Sequence, residues 1–202
     1  GSGNLFHHNI SFHNFNRGFE ISTDTGKTYL YNNTAYNNGG SGIAFDGQRN
    51  VTLVMASKAW NNIVFGNGTP SNSQNAAVGT LLGNLDSDYN FWGSLSDIQS
   101  ITSRYAGNDQ HSLYGNPQFD NPTNITVDTS LYTNSVLRTP NPNFGKVTGL
   151  SIAPASAAID RAYDIGAYYL DFNGISAVDD PLVPNNGGGL ITYYDMGAIE
   201  CH

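Results

Sequence analysis

The sequence predicts an all-β protein whose strands coil into a right-handed parallel β-helix. Three observations predict this fold: a composition that disfavours helices, short apolar segments separated by asparagine-rich turns, and a repeat of fixed length. The 202 residues include 26 asparagines and 23 glycines, and only 12% of them are charged. Because asparagine and glycine favour turns over helices, the chain is expected to fold as one β-helix domain.

The repeat is 24 residues long and is clearest near the start of the chain. Residues 9–14, 33–38 and 57–62 read NISFHN, NTAYNN and SKAWNN, each shifted by 24 from the one before. Short strands that recur at this spacing, with no helical pattern between them, stack as parallel coils about 4.8 Å apart. Residues at equivalent positions then form columns along the stack.

Two of these columns are assigned a structural role. In a ladder of asparagines, each side-chain amide bonds the amides above and below, which satisfies polar groups that are buried in the turn. In a column of glycines, the backbone leaves no space for a side chain or requires a positive φ. The ladder comprises Asn14, Asn38 and Asn62, and the glycine column comprises Gly18, Gly42 and Gly66.

The composition divides this single domain into three parts. Regular coils are predicted over residues 1–92, although their register fades after residue 70. Residues 93–149 are predicted to be loop-rich, with a short helix. Apolar residues return after residue 150, so residues 150–202 are predicted to form the final coils and their cap.

The short helix is predicted from the spacing of three apolar residues. Ile98, Ile101 and Tyr105 recur at helical spacing behind Ser96. Serine is a favoured residue at the start of a helix, because its side chain accepts a hydrogen bond from a free backbone N–H group. The helix is therefore expected over residues 96–104, lying on the coils.

Strings near both ends of the chain resemble family 9 polysaccharide lyases, which are pectate lyase-like proteins. Residues 28–40, TYLYNNTAYNNGG, and residues 59–62, AWNN, are similar to late coils of that family. Residues 156–160, 171–174 and 195–200 read SAAID, DFNG and DMGAIE, which resembles the ending of many extracellular β-helix proteins. That ending occurs in lyases and in noncatalytic surface proteins alike.

The resemblance implies an acidic polysaccharide as the partner. Family 9 lyases remove the proton α to a uronate carboxylate with a lysine base, while Ca²⁺ held by an aspartate cluster neutralises that carboxylate. In the family both features lie in coils before the matching strings, so neither the base nor the calcium ligands can be assigned here. The resemblance therefore implies the C-terminal part of a secreted or cell-surface lyase-like protein, without its catalytic coils.

Two noncatalytic functions are alternatives to the lyase. A structural surface protein is the first, since the open ends of stacked coils can pair with further copies into a filament. A glycan-binding module is the second, because the predicted aromatic column of Phe12, Tyr36 and Trp60 offers flat rings to sugars. Stacking of these rings on one another between coils is the structural interpretation of the same column.

Three basic residues are candidates for a role with an acidic sugar. The guanidinium groups of Arg17 and Arg49 match a planar carboxylate, although isolated arginines are most often surface charges. Lys58 stands beside the aromatic column and is a candidate base. Because no aspartate cluster accompanies it in the repeats, a solvated lysine on an outward strand position is the favoured interpretation.

Candidate metal ligands are interpreted as structural residues. His7, His8 and His13 occupy columns that hold Tyr31, Asn32 and Asn37 in the next repeat, so they are expected to be ordinary coil positions. The acidic residues near the end show no known calcium-binding spacing and are expected to form turns. These acidic residues are Asp160, Asp164, Asp171, Asp179, Asp180 and Asp195.

Charge and hydropathy exclude two classes of partner. Eight basic and sixteen acidic residues give a net charge of −8, which repels a phosphate backbone, so no nucleic acid is expected. No apolar run approaches the roughly 20 residues of a membrane helix. The single cysteine, Cys201, has no partner for an internal disulfide, and a covalent link to another chain is left open.

Overall fold

The structure of the chain is a computed structural model. It describes residues 3–23, 27–47, 57–69, 72–73, 76–78, 85–103, 108–127, 132–134, 139–140, 146–166 and 170–201. Within these ranges nearly all regular elements are short strands, and a single α-helix accompanies them. The predicted all-β class is therefore confirmed.

The elements are numbered in chain order. The strands are β1 (Asn4–His7), β2 (Ile10–Phe12), β3 (Phe19–Thr23), β4 (Thr28–Tyr31), β5 (Thr34–Tyr36), β6 (Ile43–Gly47), β7 (Ser57–Trp60), β8 (Ile63–Phe65), β9 (Gly68–Thr69), β10 (Asn72–Ser73), β11 (Ala76–Val78), β12 (Leu85–Asp88), β13 (Phe91–Trp92), β14 (Leu113–Tyr114), β15 (Thr126–Val127), β16 (Tyr132–Asn134), β17 (Thr139–Pro140) and β18 (Val147–Thr148). The helix α1 (Leu95–Thr102) lies between β13 and β14.

Three parallel sheets organise the first part of the chain. The first sheet has the order β1-β4-β7-β12, the second β14-β13-β8-β5-β2, and the third β11-β6-β3. Every neighbouring pair in these sheets is parallel, and each strand pairs with its counterpart in the next repeat. The remaining pairs, β9–β10, β15–β18 and β16–β17, are antiparallel.

The repeats differ in length, which corrects the predicted register. Asn9 and Asn33 are 24 residues apart, as predicted, but the next partners in the same column, Asn62 and Asn90, follow after 29 and 28 residues. Strand pairing agrees, since Ala35 of β5 pairs with Val64 of β8. The constant period of 24 residues is therefore wrong beyond the second repeat, because additional residues are accommodated in the connection between strands.

Two asparagine ladders take the place of the single predicted one. Asn14 donates from Nδ2 to Oδ1 of Asn38 at 2.9 Å, as predicted, and Asn38 donates in turn to Oδ1 of Asn67 at 2.8 Å. Asn62 instead receives the amide of Asn33 at 3.0 Å. The assignment of Asn62 to the ladder of Asn14 and Asn38 is wrong, because the longer repeat moves it into the other column.

The predicted glycine column holds for two of its three members. Gly18 donates its N–H to the carbonyl of Ser41, and a Cβ on Gly18 would lie 2.5 Å from the carbonyl oxygen of Gly42, so the two glycines stack closely. Gly66 lies elsewhere, directly after β8 in a turn with φ +70. Its place in the glycine column is therefore wrong, and its equivalent in the preceding repeat is Asn37, which also has a positive φ of 50.

Two hydrophobic cores lie on the two faces of the second sheet. One core contains residues from all three parallel sheets and from α1: Leu30, Ala35, Ile43, Phe45, Ala59, Val64, Leu85, Trp92 and Ile101. The other core joins Ile63 and Phe91 of the second sheet to Phe119, Ile159 and Met196 of the later chain. A sheet that is covered on both faces loses the simple alternation of apolar and polar residues. Side chains of β8 accordingly are buried at two successive positions.

The helix α1 begins at Leu95, three residues after Trp92 and ahead of the predicted start. Its N-cap is Ser94, whose backbone N–H donates to Oδ2 of Asp97 at 3.0 Å, and the helix ends at Thr102. The predicted cap at Ser96 is therefore wrong, and the predicted Tyr105 lies outside the described residues. Ile101 is fully buried, as its helical spacing predicts.

Residues 146–166 and 170–201 contain the short strand β18 and otherwise fold mainly through turns and isolated bridges, and the final coils predicted over residues 150–202 remain a prediction. This C-terminal segment is attached to the repeats by hydrogen bonds. Gly197 donates its N–H to the carbonyl of Asn61 at 2.7 Å, and Ala198 donates to Oγ1 of Thr34 at 3.0 Å. The C-terminal segment is thereby held against the first and second sheets.

Candidate functional site

A cleft of about 480 Å³ lies between the first sheet and the C-terminal segment. Aromatic, cationic and acidic side chains meet in this cleft. Its lining comprises Tyr31, Lys58, Trp60, Tyr163, Asp164, Ile165, Gly166, Gly189 and Leu190. Concave surfaces that combine aromatic rings with a few polar groups are typical of ligand-binding sites.

One wall of the cleft is the outer face of the first sheet. In β7, Ser57 and Ala59 are buried whereas Lys58 and Trp60 are half-buried, which is the alternation of a strand with one covered face. Tyr31 of β4 is the register partner of Trp60. Parallel pairing therefore brings the two rings to neighbouring positions on the outer face.

Asp86 of β12 orients both side chains that β7 contributes. Its Oδ2 lies 2.9 Å from Nζ of Lys58, and its Oδ1 accepts a hydrogen bond of 2.8 Å from Nε1 of Trp60. Nζ of Lys58 also lies 4.9 Å from the centre of the Trp60 ring, a cation–π contact. One carboxylate thus holds a cation and an indole side by side, while the remaining N–H donors of the ammonium are available to a ligand.

The opposite wall is positioned by Asn61, the residue that follows β7. Its side chain accepts a hydrogen bond from the N–H of Tyr163 and donates one to the carbonyl of Tyr163, each 2.8 Å long. The ring of Tyr163 then stands edge-on to Trp60, with ring centres 5.0 Å apart. Asn61 is buried, so the position of Tyr163 depends on an amide that is protected from water.

Asp164 shapes the turn at the end of this wall. Its Oδ1 accepts from the N–H of Gly166 at 2.7 Å, and its Oδ2 accepts from the N–H of Ile191 at 3.2 Å. Gly189 passes so close that an added Cβ would lie 2.7 Å from Cβ of Asp164, and its φ is +93. Only glycine is suited to that position, so the chain can return along the cleft.

The cleft combines flat aromatic rings with charged groups. The rings of Trp60 and Tyr163 offer apolar faces, and the Tyr163 hydroxyl can form hydrogen bonds. Lys58 adds a cation that attracts a carboxylate.

The predicted aromatic column is divided between two environments. Trp60 lies in the cleft, whereas Phe12 and Tyr36 are half-buried and pack against the core beneath the C-terminal segment. Tyr36 stacks on Phe65 with ring centres 6.4 Å apart and meets Phe119 edge-on at 5.2 Å. The alignment of Trp60 with Phe12 and Tyr36 is wrong for the same reason as that of Asn62, since the third repeat is shifted.

The basic residues that the sequence singled out lie in different parts of the structure. Lys58 lies in the cleft, whereas Arg17 forms a 2.8 Å ion pair with Glu20 beside β3 and does not line the cleft. Arg49 lies outside the described residues. Sequence reasoning missed Tyr163 and Asp86, because no short motif links them to β7. Asp164 was predicted only to form a turn, and its Oδ1 does accept from the N–H of Gly166.

A second group of polar residues is buried where the C-terminal segment meets the repeats. Asp195 accepts from the N–H groups of Asp160 and Cys201 at 2.9 and 2.7 Å. Both carboxylate oxygens of Asp160 are buried without a hydrogen-bond partner. Burial, with the nearby charge of Asp195, raises the pKa of Asp160 to about 7, and it raises the pKa of Glu200 as well.

No metal centre is formed in the described part of the chain. There, no group of three or more histidine, cysteine, aspartate or glutamate side chains is arranged to hold a metal ion, so ligands for the predicted Ca²⁺ are not assigned. His8 is buried next to His7, with the two Nδ1 atoms 3.2 Å apart, and burial lowers the pKa of His8 to about 4. In the same residues, no helix has both the length and the apolar character needed to cross a membrane.

Comparison with known proteins identifies no relative of this chain. No protein-family model, no curated protein and no solved structure matches the chain. The resemblance to family 9 polysaccharide lyases therefore remains a prediction based on the sequence strings. The cleft of Tyr31, Lys58, Trp60 and Tyr163 is the candidate site because of the side chains that line it.

Proposed function

We propose that the three parallel sheets are the faces of a right-handed parallel β-helix. The strand order supports this proposal, because β1, β2 and β3 are followed by β4, β5 and β6, each of which pairs with its counterpart. Side chains from all three sheets share one core. The asparagine ladders support it further, since stacked turns bring identical amides within bonding distance.

We propose that this β-helix binds a polysaccharide in the cleft. The observation that carries the proposal is the joint orientation of Lys58 and Trp60 by Asp86, opposite the ring of Tyr163. An ammonium beside an indole binds the charged edge of a sugar while the rings cover its apolar face. An acidic polysaccharide fits this pair best, because Lys58 supplies the cation for a uronate carboxylate.

The resemblance to family 9 lyases supports the same class of ligand. On this proposal the protein acts outside the cell or at its surface, where acidic polysaccharides occur, and cleavage belongs to coils of a longer lyase-like protein. A sample of such a longer protein with polygalacturonate and Ca²⁺ should release unsaturated, ultraviolet-absorbing products. Absence of these products across several uronate polymers would contradict the lyase part of the proposal and leave the binding part standing.

Binding is tested with this chain and polygalacturonate fragments by calorimetric titration. Trp60→Ala should weaken binding by about three- to tenfold, the range expected for one lost ring contact. Lys58→Gln should weaken binding of polygalacturonate but not of a neutral glucan, because it removes only the charge. Thermal unfolding of each variant shows whether the fold is retained.

Phe15→Ala is the matched control, since Phe15 is a fully exposed ring that does not line the cleft. Its affinity should equal that of the unaltered chain. Equal affinity of the Trp60→Ala variant and the unaltered chain, with both folded, would remove the cleft as the binding site. Binding of neutral and acidic polymers with the same affinity would remove the preference for uronates.

A further inference from the structure

A row of rings continues from the cleft beyond its lining residues. Tyr163, which stands edge-on to Trp60, has its ring centre 5.3 Å from that of Tyr89. Tyr89 in turn stacks on the imidazole of His111, with ring centres 4.7 Å apart and planes 14° from parallel. Tyr89 also lies 5.8 Å from Trp60, so these three rings form one cluster and His111 extends it away from the cleft.

Asp88 fixes the end of this row. Its Oδ1 accepts from the backbone N–H of His111 at 2.7 Å and from that of Tyr89 at 2.9 Å. Its Oδ2 lies 2.7 Å from Nδ1 of His111. The carboxylate thus holds the imidazole flat against the Tyr89 ring, so the geometry of the pair is set before any ligand arrives.

The row lies on the same outer face as the cleft. Asp88 is the register partner of Trp60 in the neighbouring strand, just as Asp86 is the partner of Lys58. All these side chains point outward, because alternate residues of a strand share a face. A ligand chain that leaves the cleft past Tyr163 therefore meets the Tyr89–His111 pair next.

His111 has a free polar edge for such a ligand. Its side chain is 57% exposed, whereas that of Asp88 is 14% exposed. Because Nδ1 faces Asp88, Nε2 lies on the opposite edge of the ring and forms no hydrogen bond within the described part of the chain. A flat ring with one outward nitrogen can pack against a sugar and bind its hydroxyl or carboxylate group.

We propose that Tyr89 and His111 form a second saccharide subsite, so that the ligand is an extended oligosaccharide that spans the row of rings. The proposal rests on the proposed function, since it extends the same binding face. It assigns Asp88 the role of a positioning residue, which does not itself contact the ligand. Short saccharides occupy the cleft alone, and only longer ones reach His111.

The test compares affinities for oligogalacturonides of increasing length, from the disaccharide upward, by calorimetric titration of the whole chain. The unaltered chain should gain affinity with length until both subsites are filled. His111→Ala should leave the affinity for the disaccharide unchanged and lower that for the longest fragments by about three- to tenfold, the range expected for one lost ring contact. Asp88→Asn should give the same length-dependent loss, because it releases the imidazole.

Two controls keep the outcomes distinct. Phe15→Ala removes an exposed ring outside the row and should change no affinity, and Trp60→Ala should weaken binding at every length. An equal effect of His111→Ala at all lengths, or no effect at any length, overturns the second subsite while the cleft remains. Failure of the unaltered chain to bind any fragment overturns the proposed function and the subsite with it.

Discussion

Single asparagine residues hold neighbouring repeats together. The side-chain amide of Asn38 donates to the carbonyl of Ser11 in the repeat before it and to Oδ1 of Asn67 in the repeat after it. Its own Oδ1 accepts from the backbone and the side chain of Asn14. One buried residue therefore satisfies backbone and side-chain groups of two other repeats, which no apolar side chain can do.

Replacing Asn38 should destabilise the folded chain. Asn38→Leu should lower the free energy of unfolding by about 2–4 kcal/mol, because it leaves buried donors and acceptors unpaired at about 1–3 kcal/mol each. The measurement is urea-induced unfolding followed by circular dichroism. Asn14→Leu is the control, since Asn14 is exposed in the first repeat. Equal losses for the two variants would contradict a ladder in which burial sets the stabilisation.

A single buried carboxyl group makes stability depend on pH. The pKa of Asp160 is raised from 3.8 to about 7, mainly by burial, with the charges of Asp195, Asp179 and Asp180 adding to the shift. Between these two values the folded chain keeps a proton that the unfolded chain releases. The contribution of Asp160 to stability is therefore complete below about pH 4 and declines as the pH rises to about 7.

Asp160→Asn should remove this decline. Asparagine tolerates the positive φ of 52 at this position and carries no charge at any pH. The variant should equal or fall below the unaltered chain at about pH 4 and should exceed it at about pH 8, as measured by urea midpoints. Asp120→Asn is the control, because Asp120 is exposed. A constant difference between Asp160→Asn and the unaltered chain across this range would contradict the assignment.

The start of α1 illustrates how an element boundary is decided. Two serines, Ser94 and Ser96, stand before the apolar residues, and both have a side chain suited to capping. In the structure Ser94 is the cap, since its N–H and its Oγ both contact Oδ2 of Asp97, at 3.0 and 2.7 Å. A carboxylate at the third helical position completes this cap, a pattern that the sequence also contains.

The two serines should therefore respond differently to mutation. Ser94→Ala should lower the free energy of unfolding by about 1 kcal/mol, the usual contribution of an N-cap. Ser96→Ala should change it by less than about 0.5 kcal/mol, as for an exposed surface residue. Both variants are measured by thermal and urea unfolding under the same conditions. A larger loss for Ser96→Ala would place the helix start where the apolar spacing predicted it.

The strands themselves were predictable as elements but not in their full register. The segments around Ile10 and Thr34 are equivalent at a spacing of 24, as the repeat predicts, whereas Thr34 pairs with Ile63 after 29 residues. Short strands carry too few residues to define their own alignment, so the length of the connecting loop decides it. The sequence did contain a signal for the correct alignment of the repeats. It is the recurrent pair of asparagines five residues apart, as in Asn62 and Asn67.

At the scale of the whole molecule, the cleft exists because distant segments dock. Asn61 and Tyr163 are 102 residues apart and are joined by two hydrogen bonds, and Asn32 donates to the carbonyl of Asp195 across 163 residues. The first sheet alone is an open surface. Docking of the C-terminal segment converts that surface into a cleft with a second aromatic wall.

Loosening this docking should weaken binding without altering a cleft side chain. Asn61→Gly removes the amide while keeping the positive φ of 61, so it releases Tyr163. The affinity for oligogalacturonides should fall by roughly tenfold, in line with the loss of two hydrogen bonds that position the ring. Asn37→Gly, at an exposed turn with φ 50, is the control and should bind normally. Normal binding by Asn61→Gly would show that the C-terminal wall is dispensable.

The sequence by itself determined the strand-rich class, the first 24-residue repeat and the use of asparagine ladders, because these depend on local composition and spacing. It also predicted that Trp60 and Lys58 lie on the outward face of their strand. Only the tertiary structure decided that Asn62 belongs to a second ladder and that Phe12 and Tyr36 are packing residues. It alone placed Asp86 and Tyr163 beside Trp60. The physical reason is that loop lengths and long-range docking set which residues meet, and neither leaves a periodic signal in the sequence.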